Sequence, residues 1–224
     1  MPRLSRVFTL LALAVVPAAA TPICISGDTL ANYEALGAGG CTVGPMLVNG
    51  FSFNLISVSG GATAVNASQI TVTPDFPSDG FGLIFASSGF SVTGTGAVSY
   101  GLGFTWDPTG DIRGAGDILD PGSVDILTGG CEGIAFSGSS CSGTPFSLHV
   151  FEGATSQLTD FVSFSGTNIV WIENTIDLNA NGGTASFNSI ENYIVVPEPG
   201  SFAMMLAGLV VVAGVRWRGK GRAS

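Results

Sequence analysis

The chain has 224 residues, with 16 Asp and Glu against 7 Lys and Arg, and the two signs of charge are segregated along it. All 16 acids lie between Asp28 and Glu198, a span that contains one base, Arg113, so its formal charge is 1 − 16 = −15. Binding to nucleic-acid phosphates requires clustered Lys or Arg, and anionic lipid head groups repel acidic residues. This composition therefore excludes nucleic acid and anionic lipid surfaces as partners of residues 28–198. Charged residues make up 10% and apolar residues 46%, a balance that argues against charge-driven disorder.

Residues 1–20 have the three parts of a secretory signal peptide, in order. Arg3 and Arg6 form a basic start, residues 7–16 are apolar, and small residues follow at Ala18 and Ala20. We expect export through the general secretion machinery and cleavage by signal peptidase after Ala20.

Residues 21–195 consist of short apolar runs separated by Gly, Ser, Thr, Asn and Asp. Several runs alternate apolar and polar residues, which is typical of strands in a half-buried sheet. The predicted strands are 51–55, 70–73, 81–86, 90–95, 97–106, 124–127, 146–151, 158–164, 169–178 and 185–195. One short helix is predicted around residues 30–36. The pattern predicts an all-β domain, an antiparallel two-sheet sandwich, with a jelly roll among the arrangements it allows.

Four cysteines lie in this body, and export places them where disulfides persist. Four cysteines allow three pairings. We expect Cys24 with Cys41 and Cys131 with Cys141, because that pairing closes the two shortest loops. A zinc site is disfavoured, since the chain has one His and lacks a Cys-x₂-Cys pair.

An acidic stretch at residues 107–125 has two interpretations. Asp107, Asp111, Asp117 and Asp120, with intervening glycines, supply the oxygen ligands that Ca²⁺ prefers, although their spacing differs from an EF-hand loop. The favoured interpretation is that Asp and Gly simply form turns between strands. We therefore predict no required cofactor, with Ca²⁺ as the weaker alternative.

The sequence predicts no catalytic residues. His149 is the chain's single histidine, and it lies in the alternating run 146–151, where Leu148 and Val150 are expected inside and His149 outside. A serine in a Gly-x-Ser-x-Gly elbow is missing. We expect a non-enzymatic protein, and a secreted hydrolase is the less favoured alternative.

Aromatic side chains keep a sugar-binding role open. Sandwich domains bind carbohydrates with exposed aromatic rings. The candidates for such contacts are Tyr100, Trp106, Trp171 and Tyr193, and the competing interpretation is that they pack in the core.

The last 29 residues, 196–224, form a separate unit. Pro197, Glu198 and Pro199 form an extended, donor-poor segment, because each proline fixes φ and lacks an N–H. An uncharged run at about 200–215 follows, which as a helix would span ~24 Å. A basic end at residues 216–222 then favours the cytoplasmic side of the inner membrane; its bases are Arg216, Arg218, Lys220 and Arg222.

This order of motif, span and basic end resembles the PEP-CTERM sorting tail. The resemblance implies that exosortase, a membrane-embedded cysteine protease-transpeptidase, recognises Pro197, Glu198 and Pro199 and cuts nearby. It further implies a Gram-negative bacterium that makes exopolysaccharide or biofilm matrix. The protein would pass through an inner-membrane-anchored intermediate to the cell surface or extracellular matrix, where exopolysaccharide is a candidate partner. The strand pattern of residues 21–195 is similar to the uncharacterised ectodomains of such proteins.

Overall fold

The computed structural model describes residues 20–108, 111–133, 141–153 and 155–197, and most of these residues lie in strands. One α-helix, α1, spans Leu30–Ala35, and two 3₁₀ turns span Gly37–Gly39 and Ala67–Gln69. The strands are β1 Asp28–Thr29, β2 Cys41–Val43, β3 Met46–Ser59, β4 Thr71–Asp75, β5 Gly80–Ala86, β6 Ser91–Thr93, β7 Ala97–Pro108, β8 Ile112–Leu119, β9 Val124–Glu132, β10 Thr144–Glu152, β11 Ser156–Gln157, β12 Thr159–Thr167, β13 Val170–Asn179, β14 Thr184–Ser186 and β15 Ser189–Val195.

The strands form two large sheets and one small one. The six-stranded sheet has the order β1-β4-β5-β15-β8-β12, the seven-stranded sheet β11-β10-β9-β13-β7-β3-β2, and β14 pairs with β6. The named strand pairs are antiparallel; a single parallel bridge joins Ile23 to Thr42. The predicted all-β, antiparallel class is confirmed, and the arrangement is consistent with a two-sheet sandwich. The jelly-roll variant stays a prediction.

Two-residue periodicity decides which side chains enter the core. Along β13, every second residue from Val170 to Leu178 is buried, including Asn174, and the residues between them are not, as a pleated strand requires. Rings then join the two sheets, since Phe85 of the six-stranded sheet lies 5.4 Å from Phe104 of the seven-stranded one. The buried cluster of the described residues runs from Cys24 to Ile194. In the described part of the chain, the buried core therefore ends before the segment 196–197.

The helix and most predicted strands occur where the sequence places them. The helix at α1 begins because the Thr29 side chain accepts a hydrogen bond from the Asn32 N–H, at 3.3 Å. The run 185–195 divides into β14 and β15, since Phe187 turns inward and stacks on Phe90 with ring centroids 4.5 Å apart.

Strand β8 is the main correction. It lies within the stretch 107–125, where Asp and Gly predicted turns. The outward glycines Gly114 and Gly116 are buried, even though they contribute no side chains of their own. Aromatic rings from the neighbouring strands cover these two glycines. Segment β8 is therefore a strand although its sequence lacks the alternating apolar pattern that predicts a strand.

Both predicted disulfides are present. Cys24 pairs with Cys41, with Cα atoms 4.9 Å apart, and Cys131 pairs with Cys141, at 5.4 Å. The first joins the segment before α1 to β2, and the second joins the end of β9 to the residues before β10.

Each disulfide is expected to stabilise the folded protein by about 2–3 kcal/mol through loop closure. Peptide mapping without reduction should recover Cys24 with Cys41 and Cys131 with Cys141 from exported protein. Replacing Cys131 and Cys141 together by alanine should lower the melting temperature while leaving the other bridge intact. A crossed peptide such as Cys24 with Cys131 would contradict the pairing.

Candidate functional site

The sorting segment leaves the domain directly from a central strand. Strand β15 is paired with β5 on one side and β8 on the other. The Val196 N–H then donates to the Asp79 carbonyl oxygen at 3.2 Å. The sorting motif begins at Pro197, two residues after β15 ends at Val195. Pro197 is also the last residue that the structure describes.

Several predictions fall outside the described residues. These are Glu198 and Pro199 of the motif, the span at 200–215, the basic end and the signal residue Ala18, whereas Ala20 is described and exposed. Within residues 20–197, as far as they are described, no helix is long and apolar enough to cross a membrane.

The four aspartates of the calcium hypothesis do not surround a loop. Asp107 lies on β7, Asp117 is fully buried on β8, and Asp120 follows β8. Asp111 instead pairs with Arg113, its Oδ2 lying 3.0 Å from a guanidinium nitrogen. No group of three or more His, Cys, Asp or Glu side chains in the described ranges is arranged to hold a metal ion. The predicted loop placement is wrong because β8 separates these residues.

A chain of buried polar side chains crosses the interior between the two large sheets. From the seven-stranded sheet, the Thr128 hydroxyl donates to Asn174 Oδ1 at 2.7 Å, and Asn174 Nδ2 donates to Asn192 Oδ1 at 2.8 Å. In the six-stranded sheet, Asn192 Nδ2 donates to Asp117 Oδ1 at 2.5 Å. All four residues are fully buried. The network therefore links the two sheets through hydrogen bonds as well as apolar packing.

Asp117 ends this network in an unfavourable position for a charge. Its Oδ2 is buried without a hydrogen-bond partner among the described residues. Burial raises the pKa of Asp117 to about 6, against the lowering effect of the hydrogen bond from Asn192. Sequence reasoning missed this group, although Asn192 alternates with Ile190 and Ile194, a spacing from which its inward orientation could have been found.

The outer face of the six-stranded sheet carries two nearly parallel aromatic rings. Strand register places Phe161 of β12, Gly116 of β8 and Tyr193 of β15 in one row across three strands. The ring centroids of Phe161 and Tyr193 are 6.2 Å apart and their planes differ by 14°. A β-carbon on Gly116 would lie 2.4 Å from Tyr193 Cζ, and one on Gly114 would lie 2.3 Å from Phe161 Cζ. The rings thus lie against the strand because these two positions lack side chains.

Carboxyl groups lie beside the rings. Glu191 is two residues before Tyr193 on the same face, and its Oε1 would lie 2.6 Å from a β-carbon on Gly82. Burial, and secondarily the charge of Asp75, raises the pKa of Glu191 to about 7. Burial first, and then the charges of Asp79, Asp117 and Glu191, raises the pKa of Tyr193.

The aromatic candidates divide between core and surface. Tyr100 and Trp106 are fully buried, so neither can touch a sugar, and their sugar-binding interpretation is wrong. Trp171 and Tyr193 are partly exposed on opposite sheets. Sequence reasoning did not nominate Phe161, which is 45% exposed.

The predicted outward orientation of His149 is confirmed. Leu148 and Val150 are buried while His149 is exposed, and its Nε2 lies 2.7 Å from Asp125 Oδ1. Its backbone N–H donates to Asp160 Oδ2 at 2.8 Å. The imidazole therefore belongs to a solvent-exposed polar pair on β10 and β9.

Comparison with known families gives one match. Residues 195–222 match the family model of the PEP-CTERM protein-sorting motif. The chain carries this sorting motif behind a β-rich domain. The motif implies an exported protein with exosortase as its processing partner and a membrane-anchored intermediate.

The remaining comparisons add little. None of the curated proteins matches the chain. Among solved structures, TmCBM61 in complex with β-1,4-galactotriose is similar, with a TM-score of 0.31 and 13% identity, covering 65% of this chain and 83% of that chain. The enzymatically active domain of tailspike protein 4 from bacteriophage CBA120 gives a TM-score of 0.28 and 13% identity, covering 69% of this chain and 19% of that one. At these scores neither likeness carries an argument about function.

Proposed function

We propose that residues 21–195 form a non-enzymatic component of the cell envelope or extracellular matrix of a Gram-negative bacterium. The signal peptide exports it, the tail holds it in the inner membrane, and exosortase processing delivers it to the cell surface or biofilm matrix. The tail thus directs sorting and is then removed, and the β-rich body is the part that reaches the cell surface or matrix.

The observation that carries this proposal is the junction between body and tail. The sorting match begins at residue 195, which is the last residue of β15. Processing near residues 197–199 therefore removes the tail without cutting a strand or exposing the core. A body whose strands and core end before the cleavage region can remain folded after release.

The charge distribution supports delivery away from the membrane. The body is strongly acidic and its single base is Arg113, so anionic head groups do not attract it once the basic tail is removed. The tail alone provides the membrane affinity of the intermediate.

Two alternatives remain. A carbohydrate-binding module of the same exported class is favoured by the paired rings of Phe161 and Tyr193. A secreted hydrolase is the weaker alternative, since the chain's single histidine forms an exposed pair with Asp125.

Cell fractionation tests the proposed destination. In a host with exosortase, immunoblots should find the body in the surface or matrix fraction at a mass lacking the tail. In the same host without exosortase, it should be found in the inner membrane at a mass that includes the tail. Equal distribution in both hosts would contradict the proposal. Turnover of polysaccharide by purified residues 21–197 would contradict its non-enzymatic part.

A further inference from the structure

We propose that the outer face of the six-stranded sheet binds a neutral polysaccharide chain, with Phe161 and Tyr193 as its stacking platform. This inference rests on the proposed matrix function and names the partner of that function. The site is assigned by its geometry, and its test uses purified protein, so its failure would leave export and sorting untouched.

The platform is built across three strands. Phe161 and Tyr193 lean from β12 and β15 onto β8, whose Gly114 and Gly116 leave room for them. Their planes differ by 14° and their centroids lie 6.2 Å apart, so two nearly parallel rings lie side by side on the outer face of the sheet. The apolar C–H face of a pyranose commonly packs against aromatic rings in carbohydrate sites, and these two rings offer such a contact.

Polar groups lie where the hydroxyls of a stacked sugar would reach. Strand register places Glu191 between Ile118 and Ile84 in the row next to Tyr193, and Asp75 in the Tyr193 row beyond Gly82. Carboxylate oxygens accept hydrogen bonds from hydroxyl groups, and a protonated carboxyl also donates one. The platform therefore combines an apolar floor with an acidic rim.

A groove extends the platform along the sheet. It has a volume of about 380 Å³ and is lined by Ile84, Ile118, Pro121 and Glu191, among others. Because Glu191 lies both in this groove and beside the rings, the two regions are continuous. A chain of several sugar units fits such a surface better than a single monosaccharide.

The acidic residues on this face favour a neutral ligand over an anionic one. Arg113 is the one base in the described ranges, and it is engaged with Asp111 and with the Ser165 carbonyl oxygen. An anionic polymer would meet Glu191 and Asp75 without a compensating cation. A second copy of the chain docked face to face would bring the same carboxyls together, which also disfavours self-association through this face.

Affinity electrophoresis provides the test, with residues 21–197 run through gels containing hydroxyethylcellulose, mannan or glycol chitin, and through gels containing polygalacturonate as the anionic comparison. At least one neutral polymer should retard the protein. Phe161→Ala and Tyr193→Ala should each weaken the affinity about tenfold or more, and the leucine variants at both positions should do so while keeping apolar cover on β8. Gly116→Ala should also weaken binding with both rings present, because its β-carbon displaces the Tyr193 ring.

Controls on the opposite sheet separate the platform from general surface effects. Leu127→Ala removes a side chain that is 51% exposed, and Trp171→Ala removes the other partly exposed candidate ring; both should bind as the unchanged protein does. Melting temperatures should show that each variant is folded.

Four outcomes would overturn the proposal. These are no retardation by any neutral polymer, retardation that persists in the folded leucine variants, loss of binding in Trp171→Ala alone, and binding restricted to polygalacturonate. Dimerisation that is lost in the ring variants, measured by light scattering, would instead assign the face to self-association.

Discussion

Replacing Pro197, Glu198 and Pro199 together by alanine is expected to leave the protein at full tail-containing length in the membrane of a host with exosortase. The span at 200–215 and the basic end are untouched by this change, so insertion and orientation should remain normal. Processing should fail, because alanines restore the two N–H groups that the prolines lack and remove both fixed φ angles and the charge of Glu198. Immunoblots of membrane fractions should show the full-length species replacing essentially all of the processed form.

The junction supplies a matched control. Substituting Val196 by alanine changes the residue between β15 and the motif but keeps the Pro-Glu-Pro triplet, so processing should continue. Deleting residues 216–224 should act at an earlier step, by weakening retention or orientation before processing. Normal maturation of the triple-alanine protein would show that the triplet is only a rigid spacer and is not what the processing enzyme recognises.

The free energy of unfolding is expected to fall as pH rises from about 4 to above 6, by up to about 3 kcal/mol from Asp117 alone. The native pKa of Asp117 is raised to about 6 from 3.8, so the folded state binds its proton more tightly than the unfolded state does. Its stabilising contribution is thus fully present below about pH 4 and is lost as pH rises through the native pKa. Glu191, raised to about 7, acts in the same direction at somewhat higher pH.

Urea unfolding at pH 4.5 and pH 8 measures this slope. Asp117→Asn should flatten it, because the neutral amide has no charge to bury. Asp177→Asn is the matched control for net charge, since Asp177 is an exposed aspartate of β13. A slope that is unchanged in Asp117→Asn would contradict the assignment. The main cause of the raised pKa is burial at both Asp117 and Glu191, ahead of repulsion from neighbouring carboxylates.

The parts of the fold that depend on local pattern could be predicted from the sequence. Strand β13 alternates along its whole length, and the orientation of His149 followed from its neighbours in the same way. Strand β8 could not be predicted, because its outward positions are glycines covered by Phe161 and Tyr193, which lie 45 and 77 positions beyond Gly116 in the chain. That cover becomes visible only when the strand order is known.

In the candidate site, too, features that depend on local pattern could be predicted and features that depend on strand order could not. Parity along β7 placed Tyr100 with Leu102, Phe104 and Trp106 on one face, so the burial of Tyr100 and Trp106 was already indicated by the pattern. The pairing of Phe161 with Tyr193 was not, since two rings from non-adjacent strands meet only over a strand without side chains. Likewise, an inward asparagine can be predicted from its spacing, but its partners across the sandwich cannot.

The central position of β15 also determines how the body withstands force applied at its C-terminus. A pull on residue 195 loads β15 lengthwise, so its hydrogen bonds to β5 and β8 are sheared together along two ladders. An edge strand pulled outward would peel one bond at a time, and each bond would then break under the full load. A body tethered through this end in flowing liquid would therefore resist the pull with both ladders of β15 at once.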